Sequence, residues 1–174
     1  GMFGDDTLDI EAMLPRCLEL AKQALDDFAA SRAREGEKLA DVILERVTRM
    51  RELVRDVTPR IPEAQAAFQD KLKQRLVDAL GSADDERIRQ EVAVFAVRID
   101  VAEELARLST HLDEVERVLK VGGACGKRLD FLMQELNREA NTLGSKSVMS
   151  EVSQTAMELK LLIEQMREQV QDLE

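Results

Sequence analysis

Polar residues between positions 125 and 147 form the segment of this sequence with the clearest potential for chemistry. Four of them recur at i, i+4, i+7 and i+11 and therefore share one stripe of an α-helix: Asp130, Gln134, Asn137 and Asn141. Asn is a poor helix former, so this stripe is unusual for a face that only meets water. Carboxamides suit hydrogen bonding to a partner, a ligand or a distorted backbone. The pattern favours a binding function over an ordinary solvated face.

A second stripe of the same predicted helix carries charge: Arg128, Glu135, Glu139 and Thr142. Glu135 and Glu139 are one turn apart and could share a divalent cation. Phe131 is predicted to point away from the core, near Lys127 and Arg138, where an aromatic ring could stack a single-stranded base. The alternatives stay open: Glu135 and Arg138 suit a plain i, i+3 ion pair, and Phe131 could pack on another helix.

A third group lies upstream, where the apolar pattern shifts. Its members again share one helical stripe: Asp100, Glu104, Arg107 and His111. His111 is the only histidine, and a carboxylate with a histidine on one stripe can ligate a metal or move a proton near neutral pH. The alternative is an exposed helix with i, i+4 ion pairs in which His111 is one partner.

Composition limits the classes of protein and of site. The 174 residues include no Trp or Tyr and carry a net charge of −10, which repels a phosphate backbone unless basic patches or divalent ions intervene. Two cysteines are too few for a disulfide framework and favour a reduced, intracellular protein. The sequence contains no P-loop, GxGxxG, CxxC or HExxH motif, no apolar stretch long enough to span a membrane, and no signal-peptide pattern.

The periodicity of apolar residues predicts an all-α fold: an elongated antiparallel bundle of five to six helices with coiled-coil-like packing. Residues 1–8 are predicted to be an unstructured lead or tag, and 9–174 a single helical domain. The apolar stripe lapses at 31–36, which indicates either a chain break or an inward polar site. The pattern over 85–120 predicts one long helix with a stammer at 102–108, and 152–173 follows a strict heptad seam that needs a partner helix.

Over the same residues the sequence resembles the C-terminal region of the YicC/YloC family. The similarity extends from about residue 16 to the end and is most specific in GKRLDFLMQE (126–135) followed by NREANTLGSKS (137–147). Further support comes from REG (34–36), from RIDVAEELARL (98–108) and from the ending IEQMREQVQ (163–171). A final Asp172 stands where the family has Asn.

The resemblance implies a bacterial, cytoplasmic endoribonuclease that uses a divalent metal, Mn²⁺ or Mg²⁺, and acts on RNA, not DNA, as a homo-oligomer that is a hexamer in the family. On the endoribonuclease hypothesis, four residues are candidates for holding the metal or moving protons: Glu104, His111, Glu135 and Glu139. Eight more are candidates for RNA contacts: Lys127, Arg128, Phe131, Gln134, Asn137, Arg138, Asn141 and Lys146. Family members carry a further N-terminal domain, on which assembly and cleavage could both depend. The alternative is a non-catalytic helical module for oligomerisation or for delivering RNA to other nucleases.

Overall fold

The computed structural model describes residues 2–81 and 85–173, with side chains described over 9–81 and 85–172. Helices dominate this part of the chain, and no β-strand occurs in it, which confirms the all-α prediction. Six α-helices are described, with one 3₁₀ turn, Thr58–Arg60, between the first two: α1 Met2–Val57, α2 Ile61–Leu80, α3 Asp85–Arg98, α4 Ala102–Val121, α5 Gly126–Lys146 and α6 Ser150–Leu173. None of the described helices is long and apolar enough to cross a membrane.

The chain divides into two compact units, 1–40 and 41–174, where the sequence predicted a single helical domain over 9–174. The described residues of the first unit belong to α1, which begins at Met2, inside the stretch predicted to be an unstructured lead. The helix continues through Pro15 and through the polar residues at 31–36, which excludes a chain break, one of the two alternatives for that stretch. Strong helix formers around Gly36 maintain the helix despite the loss of the apolar stripe.

The core of the second unit lies among α4, α5, α6 and the last turns of α1. Short connections make α5 an antiparallel neighbour of both α4 and α6. The predicted heptad seam of α6 is buried from Val152 to Val170, and residues of α1 such as Ile43 and Met50 belong to the same core. The seam therefore has its partner helices within this chain, because the apolar faces of α5 and α1 cover it.

The prediction of one long helix over 85–120 is wrong, because the helical conformation is interrupted between the end of α3 and the start of α4. Ile99 and Val101 are buried there with non-helical backbone, and the Asp100 carboxylate accepts a hydrogen bond from the Ala102 amide at 3.0 Å. The Ile99 carbonyl accepts a hydrogen bond from the side chain of Gln65 on α2, at 3.0 Å. The shift in the apolar seam thus marks a helix boundary in place of a stammer.

Two glycines allow the tight connection between α4 and α5. Gly122 and Gly123 have φ of 74° and 81°, in the left-handed region that side chains with a Cβ rarely adopt. This connection folds α5 back along α4 and sets which of their residues meet. α2 and α3 form a separate helical hairpin, in which the rings of Phe68 and Phe95 stack with centroids 5.1 Å apart.

Candidate functional site

The antiparallel packing of α4 on α5 brings the two charged stripes together on one face. Three contacts mark its length: Glu104 Oε1 to Lys146 Nζ at 2.6 Å, Arg107 Nε to Glu139 Oε1 at 3.2 Å, and Glu114 Oε1 to Arg128 Nη2 at 3.2 Å. Residue numbers increase along α4 where those of the contacting residues on α5 decrease, as expected for antiparallel helices. The predicted catalytic residues of both helices therefore belong to this surface, which we call the α4–α5 face.

Two carboxylates of this face are buried in an ion-pair cluster. Glu104 and Glu139 are 2% and 5% exposed, respectively. The Arg107 guanidinium lies between them, with Nε 3.2 Å from Glu139 and Nη2 3.9 Å from Glu104. The hydrogen bond to Glu139 raises the pKa of Arg107 above its ordinary value. Buried carboxylates that lack such partners are costly, so the cations of Arg107 and Lys146 are what permit these residues in the core.

The Glu104 carboxylate is only partly satisfied. Its Oε1 accepts from Lys146, which also approaches the Asp100 carbonyl at 3.3 Å. Its Oε2 is buried and has no hydrogen-bond partner among the described residues. This cluster therefore connects the start of α4 to the end of α5 through very few contacts.

A cleft of about 460 Å³ opens further along the α4–α5 face and brings His111 together with Arg128 and Phe131. Phe131 is 49% exposed, and the Arg128 guanidinium lies 5.8 Å from its ring centroid. His111 is half-buried, and its Nδ1 atom is buried and has no hydrogen-bond partner among the described residues. The cleft thus places an aromatic ring, a cation and an imidazole ring side by side.

Glu114 and Arg117, which were not among the residues predicted from the sequence, complete this cleft. Arg117 Nη2 donates to Glu114 at 2.6 Å, and Arg128 approaches the same oxygen at 3.2 Å. The hydrogen bond from Arg117, followed by that from Arg128, lowers the pKa of Glu114 to about 2. The signal was available, because Glu114 extends the stripe through His111 by one further step of three residues.

The carboxamide stripe lies outside the ion-pair cluster. Its three carboxamide residues, Gln134, Asn137 and Asn141, are exposed. Gln134 Nε2 donates to the Asp130 carboxylate at 3.3 Å, within the same stripe. Lys127 is also exposed and forms no ion pair among the described residues. These side chains are therefore available to a binding partner.

The four predicted metal ligands do not meet as one donor set. Glu104 and Glu139 pair with Lys146 and Arg107, Glu135 pairs with Arg138 at 3.6 Å, and His111 lines the cleft beside Phe131. No group of three His, Cys, Asp or Glu side chains in the described ranges is placed to hold a metal ion. A divalent ion on these glutamates would have to displace an arginine or lysine.

A family model and two relatives with similar sequences all indicate the same protein family. The family model for the C-terminal region of YicC-like endoribonucleases matches residues 57–174. A probable endoribonuclease YicC of Haemophilus influenzae is 47% identical over 166 residues, which cover 95% of this chain and 58% of the relative. Another, from Clostridioides difficile, is 30% identical over 159 residues, 90% of this chain and 54% of the relative. The chain thus spans little more than half the length of these curated relatives.

Proposed function

The chain belongs to the family of YicC-like endoribonucleases, in its C-terminal region, and on that premise we propose that it binds RNA on the α4–α5 face and takes part in cleaving it. Relatives named as probable endoribonucleases support RNA as the substrate class. One observation carries the location: a single cleft contains His111, Phe131 and Arg128.

Each of these three residues has a proposed role. The Phe131 ring, half exposed, stacks on a base, which on single-stranded nucleic acid contributes about 1–3 kcal/mol per base. Arg128 turns from Glu114 to the phosphate, and Glu114 keeps Arg117 as its partner. The His111 imidazole accepts a proton from a water molecule as the water oxygen attacks phosphorus, and passes that proton to the leaving oxygen as its bond to phosphorus breaks.

The buried glutamates have a positioning role in this proposal. Glu104 and Glu139 hold α4 against α5 through Lys146 and Arg107, which sets the separation of His111 from Phe131. Direct catalysis and metal binding by Glu104, Glu135 and Glu139 stay predictions, because each already contacts a cation. The requirement for Mn²⁺ or Mg²⁺ also stays a prediction, and we derive no step from it.

The test is cleavage of a labelled single-stranded RNA by this chain, with the full-length Haemophilus influenzae relative as reference. His111→Gln is expected to abolish cleavage and to leave RNA binding in place, whereas Phe131→Ala weakens binding. Reactions run with Mn²⁺, with Mg²⁺ and with EDTA test the metal prediction separately. Cleavage that is unchanged by both substitutions would remove the His111 cleft from the mechanism.

A second candidate is a non-catalytic RNA-binding or assembly module. The observation that favours it is the engagement of Glu104, Glu135 and Glu139 in ion pairs, which leaves no free carboxylate among the predicted catalytic residues on the described part of the face. Binding of RNA without cleavage, by both this chain and the full-length relative, would select this function. Sedimentation of this chain would show whether it self-associates.

A further inference from the structure

The basic residues of the α2–α3 hairpin differ from the basic residues that join α4 to α5. On α4 and α5, Arg107, Arg128 and Lys146 each contact a glutamate. Six cations of the hairpin form no ion pair with any described residue: Lys71, Lys73, Arg75, Arg87, Arg89 and Arg98. Binding a phosphate at the hairpin therefore requires no existing salt bridge to be broken.

Two of these cations border a cleft of about 250 Å³ between α2 and α3. Lys73 and Arg89 are its only charged lining residues, and Gln69 adds a carboxamide. Three other clefts in the described residues each include a carboxylate, for example Glu158, Glu114 and Glu91. In a chain of net charge −10, a cleft bordered by cations alone selects for an anionic ligand.

The floor of this cleft is apolar. Ile88 is 2% exposed and Val92 is half-buried, while Ala93 and Ala96 leave the space above them open because their side chains are short. The volume lies below the range of roughly 300–1,000 Å³ that is usual for a whole small-molecule ligand. An apolar floor with two cations at the rim suits one nucleotide of a longer chain: the base lies on Ile88 and Val92, and the phosphate lies between Lys73 and Arg89.

We propose that the α2–α3 cleft is a second RNA-contact site, in which Lys73 and Arg89 bind a backbone phosphate and the apolar floor receives the adjoining base. This inference rests on the proposed function, because it takes RNA as the partner. It extends that function by adding a positively charged contact separate from the His111 cleft, where the two arginines are already engaged by Glu114.

The test measures binding of a fluorescein-labelled single-stranded RNA by anisotropy at several salt concentrations. The test pair is the double variant Lys73→Gln/Arg89→Gln. The matched control pair is Lys160→Gln/Arg167→Gln on α6, where both residues are exposed and form no ion pair within the described chain. Each lost phosphate contact on single-stranded nucleic acid lowers the slope of log K against log salt by about 0.7. Because Lys73 and Arg89 share one phosphate, the test pair should lower the slope by about 0.7 and weaken binding at 0.1 M salt by about 5-fold.

A third variant, Ala93→Glu, puts a carboxylate into the cleft at an exposed position and should weaken binding without changing the circular dichroism. Equal salt slopes for the test and control pairs would overturn the inference. If Phe131→Ala still weakened RNA binding in that case, the proposed function would stand without it. Failure of the unaltered chain and of the full-length relative to bind RNA would overturn both.

Discussion

Replacing Lys146 with Met is expected to destabilise the second unit far more than an exposed lysine substitution does. Lys146 Nζ lies 2.6 Å from the carboxylate of Glu104, which is 2% exposed, so the substitution leaves a buried charge without its nearest cation. Breaking a fully buried pair costs about 3–5 kcal/mol. We expect about 3 kcal/mol, at the low end, because the Lys146 side chain is 32% exposed and Arg107 remains 3.9 Å from Glu104.

A double-mutant cycle separates this pair from general effects on packing. Replacing both Glu104 and Lys146 with Met removes both charges, so the cost should fall to about 1 kcal/mol. The coupling then amounts to about 2 kcal/mol plus the cost of Glu104→Met alone. Lys127→Met on the same helix, exposed and unpaired among the described residues, should stay within about 0.5 kcal/mol of the unaltered chain.

Urea unfolding at pH 7, with unchanged slopes against denaturant, measures these differences. A loss of 3 kcal/mol also corresponds to a fall in Tm of about 6–12 °C for a chain of this size. The reasoning would be refuted if Lys146→Met matched Lys127→Met, or if the costs of the two single substitutions simply added in the double variant.

Three further outcomes follow from the structure. The pKa of Glu114 in the folded chain, about 2, lies below its ordinary value of 4.5, so this residue adds stability above pH 4.5 that is lost as the pH falls towards 2. Titration of the Glu114 carboxyl by carbon NMR should give a midpoint of about 2, and Arg117→Met should raise that midpoint. In a filter-binding assay, Phe131→Ala should weaken binding of single-stranded RNA by about 1–3 kcal/mol. The control is Phe28→Ala, which removes another ring that lies near an arginine and should leave binding unchanged. Gly122→Ala should cost about 1–3 kcal/mol in urea unfolding, because φ of 74° with ψ of −161° is a backbone conformation nearly restricted to glycine, although nothing within 4 Å would clash. A neutral result would contradict the backbone argument.

Much of the candidate site was predictable because α-helical spacing is regular. The positions of Glu104, His111, Glu135 and Glu139 on two stripes follow from steps of three and four residues, and no tertiary information is needed to place them. The buried seam of α6 from Val152 to Val170 was predicted for the same reason. Spacings of three and four residues show which side chains share one side of a helix, but they do not specify which other helix that side contacts.

The helix boundary at 99–101 was missed because no Pro or Gly marks it. Ile99 and Val101 fit a helical pattern, yet both are buried with non-helical backbone, and the hydrogen bond from Gln65 to the Ile99 carbonyl comes from a residue 34 positions away. Long-range contacts can override local propensity, which is weak for any single residue. The same limit applies to Glu114, whose pairing with Arg128 joins two helices.

The sequence by itself determined the fold class, the helical stripes and which residues have functional types, because these depend on composition and on a period of 3.6 residues. Only the tertiary structure decided which stripe faces which. The turn at Gly122 and Gly123 sets α5 against α4 so that Arg107 reaches Glu139 and Lys146 reaches Glu104, while His111 meets Phe131 in a separate cleft. Burial, and with it the energetic weight of each charge, arises from that packing and is absent from any single helix.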